Sequence, residues 1–432
     1  MKNLFSQVMR GTLFVSFFST VHASELEIKP TFEATFGAFS SGKSYNGENL
    51  EDERINWQEG HLKYGAKGQY TFKNNQLYSS LSGISSATFG DGDAGQNSNG
   101  KERKTDVNEW VIGFKDGTNK DELTTYDLSI GRQNIMIGDG FFIAGDALNL
   151  GKVPADGALD RGGAYYLAAR RSFDFTSLLQ YKPQEDTTLK MAYLKSDNKA
   201  QFSPELFVTD VMYQLKDKGV GFTYLNVLDL TDAEQVSGRQ DLKNYALRLN
   251  YQPLPEIQVK TEFVVQDKKD GDENAGYLAL NYNFLSSKYT PSLGYRFSHF
   301  SDQYDTMFYG NTVGFGTWFQ GEVAGNYAGP FNKNADIHQL SYMMNLKENF
   351  MLGALAYKFK TVNKSLTNVD GHELDVFSVW SVNKRFNVIP LVGFYKPKHD
   401  IHSGGTQNYD DKTNVYAQLI LRWCFKKYAD IK

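Results

Sequence analysis

Eight cations recur in stretches where apolar and polar residues alternate: Lys63, Lys67, Lys190, Arg248, Lys260, Arg296, Lys358 and Arg422. In a strand, consecutive side chains point to opposite faces. If the apolar parity faces lipid, the other parity gathers these cations on an inner surface, where Asp174, Glu262, Glu322 and Asp375 oppose them. Cationic side chains in a confined, low-dielectric lumen concentrate anions and repel cations, and Arg grips a carboxylate through two parallel hydrogen bonds. The chemistry on offer is selective passage of carboxylate-bearing solutes. Any one of these side chains is as readily explained by pairing with a neighbouring carboxylate; together they bias the surface.

Catalytic groups form no comparable constellation. Ser298 and His299 are adjacent, so a strand sends them to opposite faces and no nucleophile-base pair forms. His399 and His402 share a Gly/Asp-containing loop without further ligands, too few for a zinc site. The segment Asp267–Glu273 lacks the ligand spacing of a calcium loop and reads as solvated surface. The lone Cys424 cannot make an internal disulfide, and a structural role is expected for it. No enzymatic activity, cofactor or bound metal is expected.

The elements that must position the cations follow from the alternation itself. Leu62, Tyr64, Ala66, Tyr70 and Phe72 share one parity, as do Tyr245, Leu247, Leu249 and Tyr251, and Val415 through Phe425 repeats the pattern. Strands are expected at 26–39, 58–72, 77–89, 105–116, 122–133, 165–182, 187–197, 206–216 and 219–229. They continue at 241–252, 256–267, 275–285, 288–300, 335–347, 350–361, 371–383, 386–397 and 413–425, eighteen in all. Short turns such as Lys73–Gln76, Pro183–Asp186 and Ser286–Ser287 follow even-numbered strands. Long connections, at 40–57, 90–104, 134–164, 230–240, 301–334 and 398–412, follow odd-numbered ones. That parity of connection length marks an all-β transmembrane antiparallel barrel, with short periplasmic turns and long extracellular loops. A β-sandwich shares the period but gives no reason for the parity.

The rest of the chain agrees with export to an outer membrane. Residues 1–23 combine Lys2 and Arg10, an apolar run from Gly11 to Val21 and a small-x-small site at Val21–Ala23, which is the layout of a cleaved signal peptide. Residues 24–432 then make a single barrel domain, ending in a short tail after Phe425. No later segment approaches the 18 uninterrupted apolar residues of a helical span. Removing residues 1–23 takes the formal charge from −4 to −6, which argues against a nucleic-acid partner. Strand periodicity begins directly after the cleavage site, leaving no plug domain for an energy-driven receptor.

Two loops are longer than strand closure requires, and long barrel loops often fold inward as constrictions. Asn134–Ala164 carries Gly138-Asp139-Gly140-Phe141-Phe142 and Asp156–Arg161; Ser301–Asn334 carries Gly314–Glu322, with Trp318 and Glu322. Their aromatic residues either stack on sugar rings or anchor the loop to the wall. Leu128-Ser129-Ile130-Gly131-Arg132-Gln133, leading into Gly138-Asp139-Gly140, resembles the strand-to-loop signature of the bacterial alginate export porin family. Gly314–Glu322, followed by Ala335–Leu340, resembles that family's later signature. The resemblance implies an 18-stranded barrel passing anionic polyuronate through an electropositive constriction, and it adds Arg132 to the pore-lining candidates.

The expectation is therefore a Gram-negative outer-membrane channel for an anionic polysaccharide or oligosaccharide. Its partners would be outer-membrane lipids, that solute and, for an exporter, periplasmic export proteins. A substrate-specific or general porin for small carboxylates or sugars is the alternative.

Overall fold

The computed structural model describes residues 25–45, 53–117, 125–231, 238–310 and 320–424. Among them run eighteen strands. The first six are β1 (Glu25–Ser41), β2 (Ile55–Phe72), β3 (Asn75–Gly90), β4 (Arg103–Lys115), β5 (Tyr126–Gln133) and β6 (Phe173–Gln184). They are followed by β7 (Thr187–Lys195), β8 (Pro204–Gln214), β9 (Lys218–Leu230), β10 (Lys243–Leu254), β11 (Ile257–Asp267) and β12 (Glu273–Asn283). The last are β13 (Ser292–Phe300), β14 (Ala335–Lys347), β15 (Phe350–Thr361), β16 (Gly371–Asn383), β17 (Phe386–Pro397) and β18 (Asn414–Cys424). Every strand pairs antiparallel with its sequence neighbours, and β1 also pairs with β18, from Glu33 opposite Cys424 to Ser41 opposite Tyr416. The sheet thus closes on itself. In lipid, where no water can satisfy a free edge, closure is what makes a spanning sheet possible.

One parity forms a belt around the outside. Leu26, Ile28, Phe32 and Phe36 of β1 are exposed, as are Leu128 and Ile130, Phe222, Leu247, Leu278, Tyr295, Leu340, Leu374 and Leu419 farther round. A continuous apolar surface of this extent suits hydrocarbon, not water.

The inward parity changes character with height. Near the short turns it is polar, with Lys67, Gln69, Lys190 and Lys260. Near the long loops it is apolar and buried: Trp57, Leu194, Leu206, Val208, Leu225, Val227, Val264, Ile337, Leu355, Tyr357 and Phe359. Something inside the barrel covers these side chains.

The expected bounds of β14, β15, β16 and β17 coincide with the observed ones. Two expectations fail for one reason, namely that the inner face of the upper barrel is apolar and buried against the loops while the outer face is also apolar. The strand expected at 165–182 begins only at Phe173, because residues 165–172 belong to a loop packed inside. Lys358, expected to line the pore, lies on the outer face, because Tyr357 and Phe359 take the inward positions of β15. The expected signal peptide, Phe425 and the tail lie outside the described residues, as does the start of the strand expected at 122.

Candidate solute pathway

The described parts of both long loops fold into the lumen and hold each other. Gly131 (φ 132°) opens the first loop at a register shift between β5 and β6. A Cβ there would stand 2.0 Å from the Trp110 carbonyl oxygen, so only glycine fits. Phe141 and Phe142 are buried, Phe141 packing on Tyr277 at 5.3 Å and on Phe300 at 5.5 Å between ring centres. These aromatics anchor the loop to the wall. Gly138 (φ 60°) lies against the Arg248 side chain, and Asp139 accepts a 2.6 Å hydrogen bond from the Tyr277 hydroxyl. Beyond this anchor the loop pairs with the second one: Ala144 N–H donates to Phe308 O at 2.7 Å, and Phe308 N–H to Phe142 O at 3.0 Å.

The first loop then crosses the lumen. Ala164 N–H donates to the Thr88 hydroxyl (2.9 Å), and Leu167 N–H to the Glu59 carboxylate (3.1 Å). The Tyr166 hydroxyl donates to Glu322 (2.5 Å) and accepts from Gln418 (2.9 Å). The second loop lies along β16, whose Glu373 accepts from Val323 N–H at 2.7 Å and Ala324 N–H at 2.9 Å. Trp57, Tyr327 and Tyr416 pack together beside this crossing. A large part of the upper lumen is thereby filled.

The return of the first loop to the wall carries an arginine cluster. Arg161 is 7% exposed and donates to the fully buried Asp146 at 2.7 and 3.0 Å, while Asp146 also accepts from Ser196 and Asn198 at 2.8 Å each. Arg170 bonds Asp197 and, at 2.9 Å, Asp106; Arg132 bonds Asp174 and the Val107 carbonyl. Asp197 is shared by Arg132, Arg161 and Arg170. Burial would raise its carboxyl, but the guanidiniums of Arg170, Arg161 and Arg132 outweigh burial and hold it below its ordinary value. A depressed folded-state value stabilises the loop above the ordinary value near pH ~4, and that contribution is lost as pH falls further. Bilayer recordings taken from neutral to about pH 3 are expected to show rising, reversible open-channel noise, with Asp197→Asn noisy already at pH 7; unchanged noise would show that Asp197 does not hold the loop.

Beside this cluster a succession of cations leads toward the short turns. Lys63, Arg171 and Arg422 gather about Glu33, which also contacts His61 Nε2 at 3.3 Å and Arg422 at 3.5 Å. Burial, and then the charge of Arg422, lowers the Arg171 guanidinium from its usual value. These like charges attract anions to the place where they meet. Farther down, Lys29 of β1 stands opposite Lys67 of β2, both on the inner parity and solvent-accessible.

The expected site residues therefore separate. Lys63, Lys67, Lys190, Lys260 and Arg422 face the lumen. Arg248 and Arg296 also face inward but lie beneath the first loop: Arg248 bonds Asp210 and Thr223, and Arg296 stacks on the Tyr277 ring at 3.5 Å. Glu322 is buried within the plug and Arg132 is tied into the loop cluster. Trp318 and Gly314–Phe319 lie outside the described residues. Arg161, Arg170 and Arg171 were not expected; the Arg170-Arg171 pair sits where the sequence reads as strand. Ser298 faces inward, while His299 of the same strand bonds Asp336 at 2.7 Å on the other face.

An eighteen-stranded barrel with loops folded into its lumen has the fold of outer-membrane porins. Among solved structures it is similar to OpdQ of Pseudomonas aeruginosa, with a TM-score of 0.58 at 13% identity over 92% of this chain and 97% of that one. It is also similar to a BenF-like porin from Pseudomonas fluorescens Pf-5, with a TM-score of 0.59 at 10% identity over 93% and 99%. OccK9 (OpdG) of Pseudomonas aeruginosa gives 0.59 at 10% identity over 91% and 98%. No protein-family model and no curated protein matches the chain, so the resemblance to the alginate export family gains no support.

Proposed function

We propose that the chain is an outer-membrane channel for small carboxylate-bearing solutes. The observation that carries this is the descent of cations from Arg171, Arg422 and Lys63 to Lys67 and Lys29, beside a lumen otherwise crossed by two fastened loops. Small solutes suit this arrangement better than a polymer, since the loops are tied to the wall and to each other at several points. The fold shared with a BenF-like porin and the Opd proteins supports the same alternative over polyuronate export. Work of this kind needs no bond chemistry: each cation offers a transient partner, and several weak sites in succession let an anion enter and leave.

Single-channel recording in a planar bilayer under a salt gradient tests it. The wild type is expected to be anion-selective and blocked by millimolar-range dicarboxylates. Lys63→Gln/Arg171→Gln/Arg422→Gln, its folding checked by heat-modifiable migration, is expected to bring the anion-to-cation permeability ratio close to unity. Cation selectivity in the wild type would overturn the proposal, and block by oligouronates alone would return the polymer reading.

A further inference from the structure

The cation that the sequence placed in the pore points to a different site. Lys358 lies on the outer face of β15, opposite His338 of β14 and His372 of β16, and His372 lies opposite Lys396 of β17. All four side chains are exposed. They form one row along the hydrogen-bonding direction across four neighbouring strands, with Lys360 one outward position higher on β15. Directly beneath them on the same parity run Leu340, Ala356, Leu374 and Phe394, the upper edge of the apolar belt.

The height fits a headgroup layer. From Phe350, at the short-turn end of β15, to Lys358 is eight residues. At ~3.3 Å per residue and a tilt of ~40°, eight residues rise about 20 Å, close to the ~25 Å height of a barrel's lipid-facing band. Lys358 therefore sits near the level where the hydrocarbon of the outer leaflet ends.

The row's charge is only partly neutralised from within the protein. Among the described residues neither Lys358 nor Lys360 has an ion-pair partner. Of the acids on this face, Asp336, which stands opposite Lys360 in register, bonds His299 at 2.7 Å, and Asp411 pairs with Lys396 at 3.3 Å. Lys396 is still half-exposed. Elsewhere on the wall, cations have carboxylates close by, Lys195 with Glu205 at 2.7 Å and Lys243 with Asp267 at 4.0 Å. A cationic row in which Lys358 and Lys360 carry unpaired charge, immediately above an apolar face, matches an amphiphile whose acyl chains lie below and whose anionic groups lie above.

We infer that the outer face of β14–β17 binds a phosphorylated glycolipid of the outer leaflet, with Lys358, Lys360 and Lys396 on its phosphates and Leu340, Leu374 and Phe394 against its acyl chains. The site is independent of the solute pathway and stands or falls apart from it. Each lysine near a charged lipid surface strengthens binding severalfold, so three acting together outweigh any one.

Native mass spectrometry of the refolded barrel in detergent tests the site, with diphosphorylated lipid A and its dephosphorylated form as probes. The wild type is expected to retain the diphosphorylated lipid. Lys358→Gln/Lys360→Gln/Lys396→Gln is expected to retain it at least about tenfold less, with unchanged heat-modifiable migration and unchanged single-channel conductance. Equal retention of the dephosphorylated lipid, or equal retention by the variant, would overturn the inference. So would inorganic phosphate competing at equal concentration, which would mark a generic anion patch. Disulfide cross-linking between barrels carrying Lys358→Cys would overturn it too, by assigning the face to a second copy.

Discussion

Excising residues 147–170 and bridging the ends with two or three glycines will raise single-channel conductance about threefold or more. The geometry permits the cut, since Asp146 N–H donates to Arg171 O at 2.9 Å and the two ends already meet beside β5 and β6. What is lost is the crossing segment with Tyr165 and Tyr166, whose bonds reach Glu59, Glu322 and Asn326 on the far side. The second loop would lose its support at the same time. Conductance follows the open cross-section, and an eighteen-stranded barrel without its plug is wide enough for a water-filled channel. The strands should survive, because their ladders close independently of the loop. The excised form should discriminate less between anions and cations, since Arg161 and Arg170 leave with the segment and wider water screens the remaining charges. A variant that folds but conducts like the wild type would show that the crossing segment does not limit the path.

How far the sequence carried this result depends on what each residue faces. The barrel was legible because one parity of nearly every strand must be apolar to meet lipid, and period two survives weak individual signals. The same rule misled wherever protein replaced water inside. In β15, Leu355, Tyr357 and Phe359 face the plug while Leu352, Ala354 and Ala356 face outward, so apolarity no longer told inside from outside and Lys358 was assigned to the wrong face. Tyr165, Tyr166 and Leu167 looked like strand because they are apolar; they are apolar because they are buried in the lumen. Inward folding itself was foreshadowed by loop length and by Gly138 and Gly140. Which cations line the path was not, because that depends on contacts made by loops far away in sequence. Arg248 and Arg296 have the right parity and are covered; Arg171 lies on no strand and joins Lys63 and Arg422.

Asp146→Leu will release the first loop without unfolding the barrel. Asp146 is fully buried and accepts from Arg161, Ser196 and Asn198, which makes it the most deeply buried acceptor joining the returning loop to the connection after β7. Removing it leaves the Arg161 guanidinium, in a site only 7% exposed, with the 3.4 Å contact to Asp197 as its remaining ion pair. Breaking a buried ion pair by removing one partner costs on the order of 3–5 kcal/mol, more than loop anchoring by one or two hydrogen bonds can offset. The loop is the cheaper element to lose, since the strand ladders hold one another. Hydrogen exchange over 144–172 should therefore accelerate sharply while β10 to β18 keep their protection, and trypsin should gain access to Arg161, Arg170 and Arg171. Asp146→Leu/Arg161→Met removes both charges together and should recover most of the protection, because replacing a buried pair by apolar groups is far less costly than breaking it. If the double variant opens as far as the single one, the loop is held by packing and not by this ion pair. If Asp146→Leu alone leaves exchange unchanged, the aromatic anchors at Phe141 and Phe142 suffice to keep the lumen closed.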